Sequence, residues 1–286
     1  MSARKSRIPI LITGCQRSGT TLSSLILDSH PDIWNIDEYQ FSLPAIYHYL
    51  FGPVTRPASF VSFKLPEYAH VLPFIEALPG CRLLWCIRNP LDVVWSMIKL
   101  NITFGGITAP WAAHPRGGLT EITHSYPALT DEQKAALSDH MTEFARLTEG
   151  LKNLLSSPER SAKVNRWDCV FIGAFCWRIK NELPMQYKAR NIGFHVVRYE
   201  DLVTNPKDRI AQLLDYIGAE WCDEVLMHHR LHKGMSIGST SNTRAIDQNS
   251  LGEGGKNLSQ EEQNLIKTIC GSVATRWNYF SDNKNS

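Results

Sequence analysis

Residues 14–21 read Gly14-Cys15-Gln16-Arg17-Ser18-Gly19-Thr20-Thr21, so two glycines, two threonines and one cation converge within eight positions. A glycine-bearing turn that runs into a helix N-terminus aims several backbone N–H groups at one point, and such a point binds phosphate or sulfate. Arg17 is always charged and forks well onto oxyanions. A tight turn with a surface arginine is the plainer reading, but the convergence of these groups favours an anion site. The turn departs from the GxxxxGK[ST] pattern, which places lysine directly after the second glycine. Thr20 stands at that place here, and the cation precedes Gly19 by two residues. Further on, Asp37 and Glu38 form a carboxylate pair that could share one proton if close. No His/Cys cluster has zinc spacing and no Walker-type lysine has a magnesium-binding partner, so no metal is expected.

These groups need elements to hold them. The apolar run from Ile8 to Thr13 predicts a buried strand, and Leu22, Leu25, Ile26 and Leu27 predict a helix that Pro31 ends. Val61 to Lys64 reads as a second strand. A lysine there beside a proline is either a solvated edge charge or a ligand at a strand end, where α/β sheets place their ligands. Leu83 to Ile87 is the next buried strand, which puts Arg88 at its tip. Asn89 suits an N-cap and Pro90 the first helical position, and Leu91, Val94, Trp95 and Ile98 then form one apolar face. Ser96 lies two turns into that helix. A helix over 166–188 carries Trp167, Val170, Phe171, Ala174 and Trp177 on one side. Phe194 to Tyr199 reads as a strand, and Asn205-Pro206 opens a helix with Ile210, Leu213, Leu214 and Ile217 on one face. Thr130–Gln133 and Ser259–Glu262 are capping boxes, each opening a helix. Strands alternating with helices predict an α/β fold with a mostly parallel central sheet and helices on both faces.

The motifs then match a known pattern. RSGTTL at 17–22, LDSHPDI at 27–33 and the acidic pair after them resemble the sulfotransferase family, and within it the tyrosylprotein sulfotransferase branch. That family uses 3′-phosphoadenosine 5′-phosphosulfate as sulfuryl donor and releases 3′-phosphoadenosine 5′-phosphate. The resemblance implies a P-loop-like sulfotransferase fold over one domain, residues 1–286. It implies that Arg17, Ser18, Gly19, Thr20 and Thr21 hold the donor, and that Glu38 is the catalytic base. Lys64-Leu65-Pro66 fits a K-x-P element whose lysine contacts the transferred sulfonate. RNPxDxxxS, from Arg88 to Ser96, resembles the second cofactor element, whose arginine and serine bind the 3′-phosphate. VRYEDL resembles a landmark whose tyrosine lies against the adenine, which implies that role for Tyr199; a tyrosine capping the core is the alternative. Thr243 to Gln248 resembles a cofactor-covering loop, with Arg244 three residues before Asp247-Gln248, and Lys256 stands where family lysines help hold the 3′-phosphate.

The acceptor side is less defined. Residues 39–51 are rich in aromatics, from Tyr39 onward, and read equally as core or as an acceptor-pocket wall. Residues 101–129 hold four glycines and three prolines and little periodicity, which predicts a long loop inserted at 101–130 near the acceptor. Its chemically able residues are Trp111, His114 and Arg116; His114, His124 or Asp37 could replace Glu38 as base, and Asp37, Tyr39, Trp111 and His114 are candidate acceptor contacts. Residues 233–258 are rich in Gly, Ser and Asn and predict a flexible covering loop.

The whole chain bounds the partners. Its 286 residues are 43% hydrophobic and 20% charged, with net charge +2. That balance lacks the basic excess expected of a protein gripping nucleic acid or long sulfated glycans. No signal-peptide pattern and no 18-residue apolar run appears, and Cys81, Cys86 and Cys169 sit in or beside apolar runs as buried thiols. The expectation is a cytoplasmic enzyme without membrane or nucleic-acid partner, acting on a small-molecule acceptor such as a secondary metabolite. A homodimer is compatible with all of this. Sulfation of protein tyrosine, a P-loop kinase or NTPase, and a non-catalytic nucleotide-binding module are the alternatives.

Overall fold

The computed structural model describes residues 7–36, 48–52, 58–70, 75–76, 78, 80–103, 118–156, 166–232 and 241–280. The chain divides into two compact units, Met1–Ile87 with Tyr187–Asn249 and Arg88–Gln186 with Ser250–Ser286. The strands are β1 (Ile8–Gly14), β2 (Ile33–Ile36), β3 (Phe60–Lys64), β4 (Arg82–Ile87) and β5 (Phe194–Arg198). The helices are α1 (Thr20–Asp28), α2 (Pro90–Thr103), α3 (Gly118–Ser125), α4 (Asp131–Ala135), α5 (Ser138–Ser156), α6 (Arg166–Ala189), α7 (Tyr199–Thr204), α8 (Pro206–Ile217), α9 (His228–Leu231), α10 (Glu253–Asn257) and α11 (Gln260–Arg276).

Among the described residues all five strands belong to the first unit. They form one sheet in the order β2-β3-β1-β4-β5, and every neighbouring pair is parallel. A parallel sheet is covered on both faces, which is why β1, β3 and β4 are near-continuous apolar runs. On one face Ile10, Ile12, Leu84, Cys86 and Val197 pack with Ile26 and Leu27 of α1 and with Ile210, Leu213, Leu214 and Ile217 of α8. On the other, Trp85 meets Tyr187 edge to face at 5.7 Å, and the Tyr187 hydroxyl donates to the Ala69 carbonyl. The strand β2 has no counterpart among the sequence expectations. It is four residues long with only its two ends buried, too short to show a period. β5 stops at Arg198, one residue earlier than its pattern predicts, because Tyr199 already opens α7.

The second unit is helical. Asn89 caps α2 as expected, its Oδ1 accepting from the Leu91 N–H at 2.9 Å. Both predicted capping boxes form, Thr130 with Gln133 on α4 and Ser259 with Glu262 on α11. α4 lasts only five residues before α5 takes over. In α6, Val170, Phe171, Ala174 and Trp177 are buried, whereas Trp167 in the first turn is 38% exposed. Phe171 and Phe175 stack at 5.6 Å, and Phe144 of α5 meets Phe175 at 5.3 Å. Beyond these, Arg178 and Arg276 both donate to the buried Glu182 at 2.9 Å, tying α11 to α6.

The stretch 101–129, predicted as a long loop, contains the end of α2, all of α3 and a 3₁₀ turn at Tyr126–Ala128. Ile122, Ser125 and Leu129 are buried at helical spacing. A serine in the middle position hides that period from a search for apolar residues. Residues 104–117 lie outside the described residues.

Candidate active site

In the first unit the site grows from the end of β1. Gly14 adopts φ +134, and a Cβ there would stand 2.2 Å from the Cys86 carbonyl oxygen, so only glycine lets β1 leave the sheet beside β4. Arg17 (φ 67) and Gly19 (φ 92) both lie in the left-handed region and fold the turn back on itself. The Ser18 N–H bonds the Cys15 carbonyl at 3.2 Å, while the Ser18 side chain is buried and its Oγ has no hydrogen-bond partner. α1 then starts at Thr20 with no side-chain cap and no acidic residue in its first turn. The helix N-terminus therefore keeps its partial positive charge, and its N–H groups have no intrahelical acceptor. A buried orphan hydroxyl at an uncapped helix start fits an anionic oxygen as partner.

Two further predicted residues gather at the same turn. Lys64 is in register with Ile12, is 1% exposed, and directs its Nζ to the Thr21 hydroxyl at 3.5 Å. The strand end is pinned on both sides of this contact: the Leu65 N–H donates to the Ile12 carbonyl at 2.9 Å, and Thr13 Oγ1 donates to the Leu65 carbonyl at 3.2 Å. The Tyr199 ring lies over Gly19, where a Cβ would meet its Cδ2 at 2.8 Å. The first unit thus brings Arg17, Ser18, Gly19, Thr20, Thr21, Lys64 and Tyr199 to one end of the sheet. Lys64 is buried against Thr21 and is not a solvated edge charge, and the Tyr199 ring lies on the turn.

Asn35 was not singled out by the sequence. On β2 its Oδ1 accepts from Ser24 of α1 at 3.0 Å and from Ser62 of β3 at 2.7 Å. It fastens the strand whose continuation carries Asp37 and Glu38. A polar residue between Trp34 and Ile36 in a run this short gives no sequence signal. Asp37, Glu38, Tyr39, Trp111 and His114 themselves lie outside the described residues.

The loop residues 241–249 also belong to the first unit. Arg244 forms a two-pronged ion pair with Asp247, which lowers the Asp247 pKa, and Asp247 also accepts from the Asn249 N–H at 2.9 Å. Arg244 and Gln248 are exposed. Nearby in sequence, the buried His228 bonds the Arg244 backbone; burial, then its neighbour His229, lowers its pKa to about 4.

In the second unit, Arg88 and Ser96 are buried near the start of α2, 5% and 8% exposed. The Arg88 carbonyl accepts from Trp177 Nε1 at 2.9 Å, and its Nη2 donates to the Ser250 carbonyl. Lys256 lies exposed on α10, and His124 is exposed in the last turn of α3. Among the described residues no group of three His, Cys, Asp or Glu could hold a metal ion, and no helix is long and apolar enough to cross a membrane.

The family model described as Sulfotransferase domain matches residues 7–266. No curated protein matches the chain. Among solved structures, the sulfotransferase domain of the Synechococcus PCC 7002 olefin synthase shares 15% identity at a TM-score of 0.51, over 93% of this chain and 96% of that one. The sulfotransferase domain of the curacin biosynthetic pathway gives 16% identity and a TM-score of 0.48, over 96% and 99%. Mouse sulfotransferase SULT7A1, solved with PAP, gives 11% and 0.49, over 98% and 87%.

Proposed function

Because the chain belongs to the sulfotransferase domain family, we propose that it transfers a sulfuryl group from 3′-phosphoadenosine 5′-phosphosulfate to a hydroxyl or amine of a small-molecule acceptor, a secondary metabolite. The observation that carries this reading is the buried, unpartnered Ser18 hydroxyl at the uncapped start of α1, with the Lys64 ammonium one contact away at Thr21.

The donor supplies a sulfonate activated by a phosphate leaving group. The acceptor oxygen or nitrogen forms the new bond to sulfur as the bond to the phosphate oxygen breaks, and the acceptor's proton passes to the Glu38 carboxylate. Such a transfer needs positioning and charge stabilisation more than covalent help, by analogy with phosphoryl transfer. Arg17, Lys64 and the N–H groups of the turn stabilise the charge on the sulfonate and on the departing phosphate. Tyr199 lies against the adenine, Arg88, Ser96 and Lys256 hold the 3′-phosphate, and residues 233–258, with Arg244, Asp247 and Gln248, cover the donor. Residues 101–130 form the acceptor side, with Asp37, Tyr39, Trp111 and His114 as contacts, within a single catalytic domain.

The near-neutral net charge of +2 supports a small acceptor over a polyanion. All seven cysteines are free thiols, which supports work in a reducing cytoplasm.

The test is calorimetric titration of adenosine 3′,5′-bisphosphate, without magnesium, into wild type and Arg88→Ala. Tight binding that the variant loses supports the reading. An acceptor screen, small molecules beside tyrosine peptides, then follows with Glu38→Gln as control, expected to lose about 10²–10⁴ in rate. Binding of ATP with magnesium and none of the bisphosphate would overturn the donor and favour a kinase.

A further inference from the structure

Asp92 spends its carboxylate on the backbone of a distant segment. It is 3% exposed in the first turn of α2. Its Oδ2 accepts from the Gly252 N–H at 2.9 Å and its Oδ1 from the Gly254 N–H at 2.7 Å. The same Oδ2 stands 3.7 Å from Nη2 of Arg88, which in turn donates to the Ser250 carbonyl. The contact leaves no slack: a Cβ on Gly254 would stand 2.3 Å from the backbone carbon and oxygen of Leu91. Farther along α2, Lys99 pairs with Glu253 at 2.8 Å.

Residues 250–254 are therefore fastened to α2, and Asp92 is the member that touches both Arg88 and the segment. With one N–H on each oxygen, the carboxylate cannot rotate, so its charge fixes the direction of the guanidinium. The helix α10, which carries Lys256, begins within this fastened segment.

We propose that Asp92 is a positioning residue that sets selectivity for a 3′-phosphate, by holding Arg88 and the segment leading to Lys256 in register with each other. The inference rests on the sulfotransferase reading above. It assigns Asp92 no contact with the donor.

Selectivity separates this role from general support of the fold. Adenosine 3′,5′-bisphosphate and adenosine 5′-monophosphate differ by the 3′-phosphate alone, and calorimetry gives the affinity of each. Wild type should prefer the bisphosphate. Asp92→Asn keeps one acceptor oxygen but turns an amide N–H toward the other backbone N–H. It should lose about 10- to 100-fold in bisphosphate affinity, with the monophosphate nearly unchanged. Gly254→Ala, which pushes the segment off Leu91 without touching a charge, should narrow the preference in the same way and carries the test should Asp92→Asn fail to fold.

An unchanged ratio of the two affinities, or an equal loss of both ligands, in the variants that fold would overturn the inference while leaving the sulfotransferase reading intact. A wild type that shows no preference for the bisphosphate would overturn that reading, and the inference with it.

Discussion

Tyr199 packs its ring directly over Gly19, so close that a Cβ at Gly19 would stand 2.8 Å from the ring's Cδ2. The residue that follows β5 and the hinge of the turn at 14–21 therefore share one space. Gly19 also holds φ 92, a conformation that costs a side chain about 1–3 kcal/mol. Gly19→Ala should lower the unfolding midpoint in urea and, by displacing Tyr199, weaken adenosine bisphosphate binding in calorimetry. A variant with wild-type affinity would mean that the ring's place on the turn has no part in binding.

Lys64 offers a cleaner separation of chemistry from binding. Its ammonium is buried at Thr21, at the turn where the transferred group would lie. Lys64→Met should cut turnover by about 10²–10³-fold, the scale of losing one preorganised charge. The bisphosphate product lacks the sulfonate, so its affinity should stay within a few-fold of wild type. Equal losses in both measurements would recast Lys64 as a structural cation.

His228 makes stability depend on pH. Its folded pKa is lowered from 6.5 to about 4, chiefly by burial. Between those values the unfolded chain binds the extra proton and the folded chain does not, so stability rises with pH across that window. The contribution is fully present above pH 6.5 and falls as pH drops toward 4. Urea midpoints of wild type should decline over this range, and His228→Phe should flatten the slope. A slope unchanged by the substitution would assign the dependence to other groups.

The capping box at Ser259 gives a purely structural prediction. Its hydroxyl accepts from the Glu262 N–H at 3.2 Å, and Glu262 returns a bond from the Ser259 N–H at 2.8 Å. Ser259→Ala should cost about 1 kcal/mol, read as a lower melting temperature, with turnover at saturating donor unchanged. A melting temperature equal to wild type would show that Arg166, which also grips Glu262 at 3.0 Å, holds the helix start alone.

What the sequence makes legible here is what local chemistry dictates. The run from Ile8, the turn at 14–21 and both capping boxes depend on neighbours within a few residues, and each is found where its pattern lies. The strand Ile33–Ile36 depends on pairing with β3, and no local period marks it. α3 is hidden because its buried face includes Ser125. Arg17, Lys64 and Arg88 stand out because cations at or just after strand ends are conspicuous. Asn35 and Asp92 do not, because each works through partners far away in the chain: Ser62 for Asn35, Gly252 and Gly254 for Asp92.

The division of the chain into interleaved units also sets an order of events at the ribosome. β4 finds β1 among the first 87 residues, but its other neighbour, β5, begins only at Phe194, after residues 88–193 have been made. At roughly 5–20 residues per second, the edge of β4 waits about 5–20 s for its partner. The second unit waits in turn for α11, which follows β5 in the chain. Neither unit can close until its second segment, Tyr187–Asn249 or Ser250–Ser286, has been made. A nascent chain of this enzyme therefore exposes one unpaired edge of an apolar strand for seconds, and shielding that edge is a task for whatever meets the chain as it emerges.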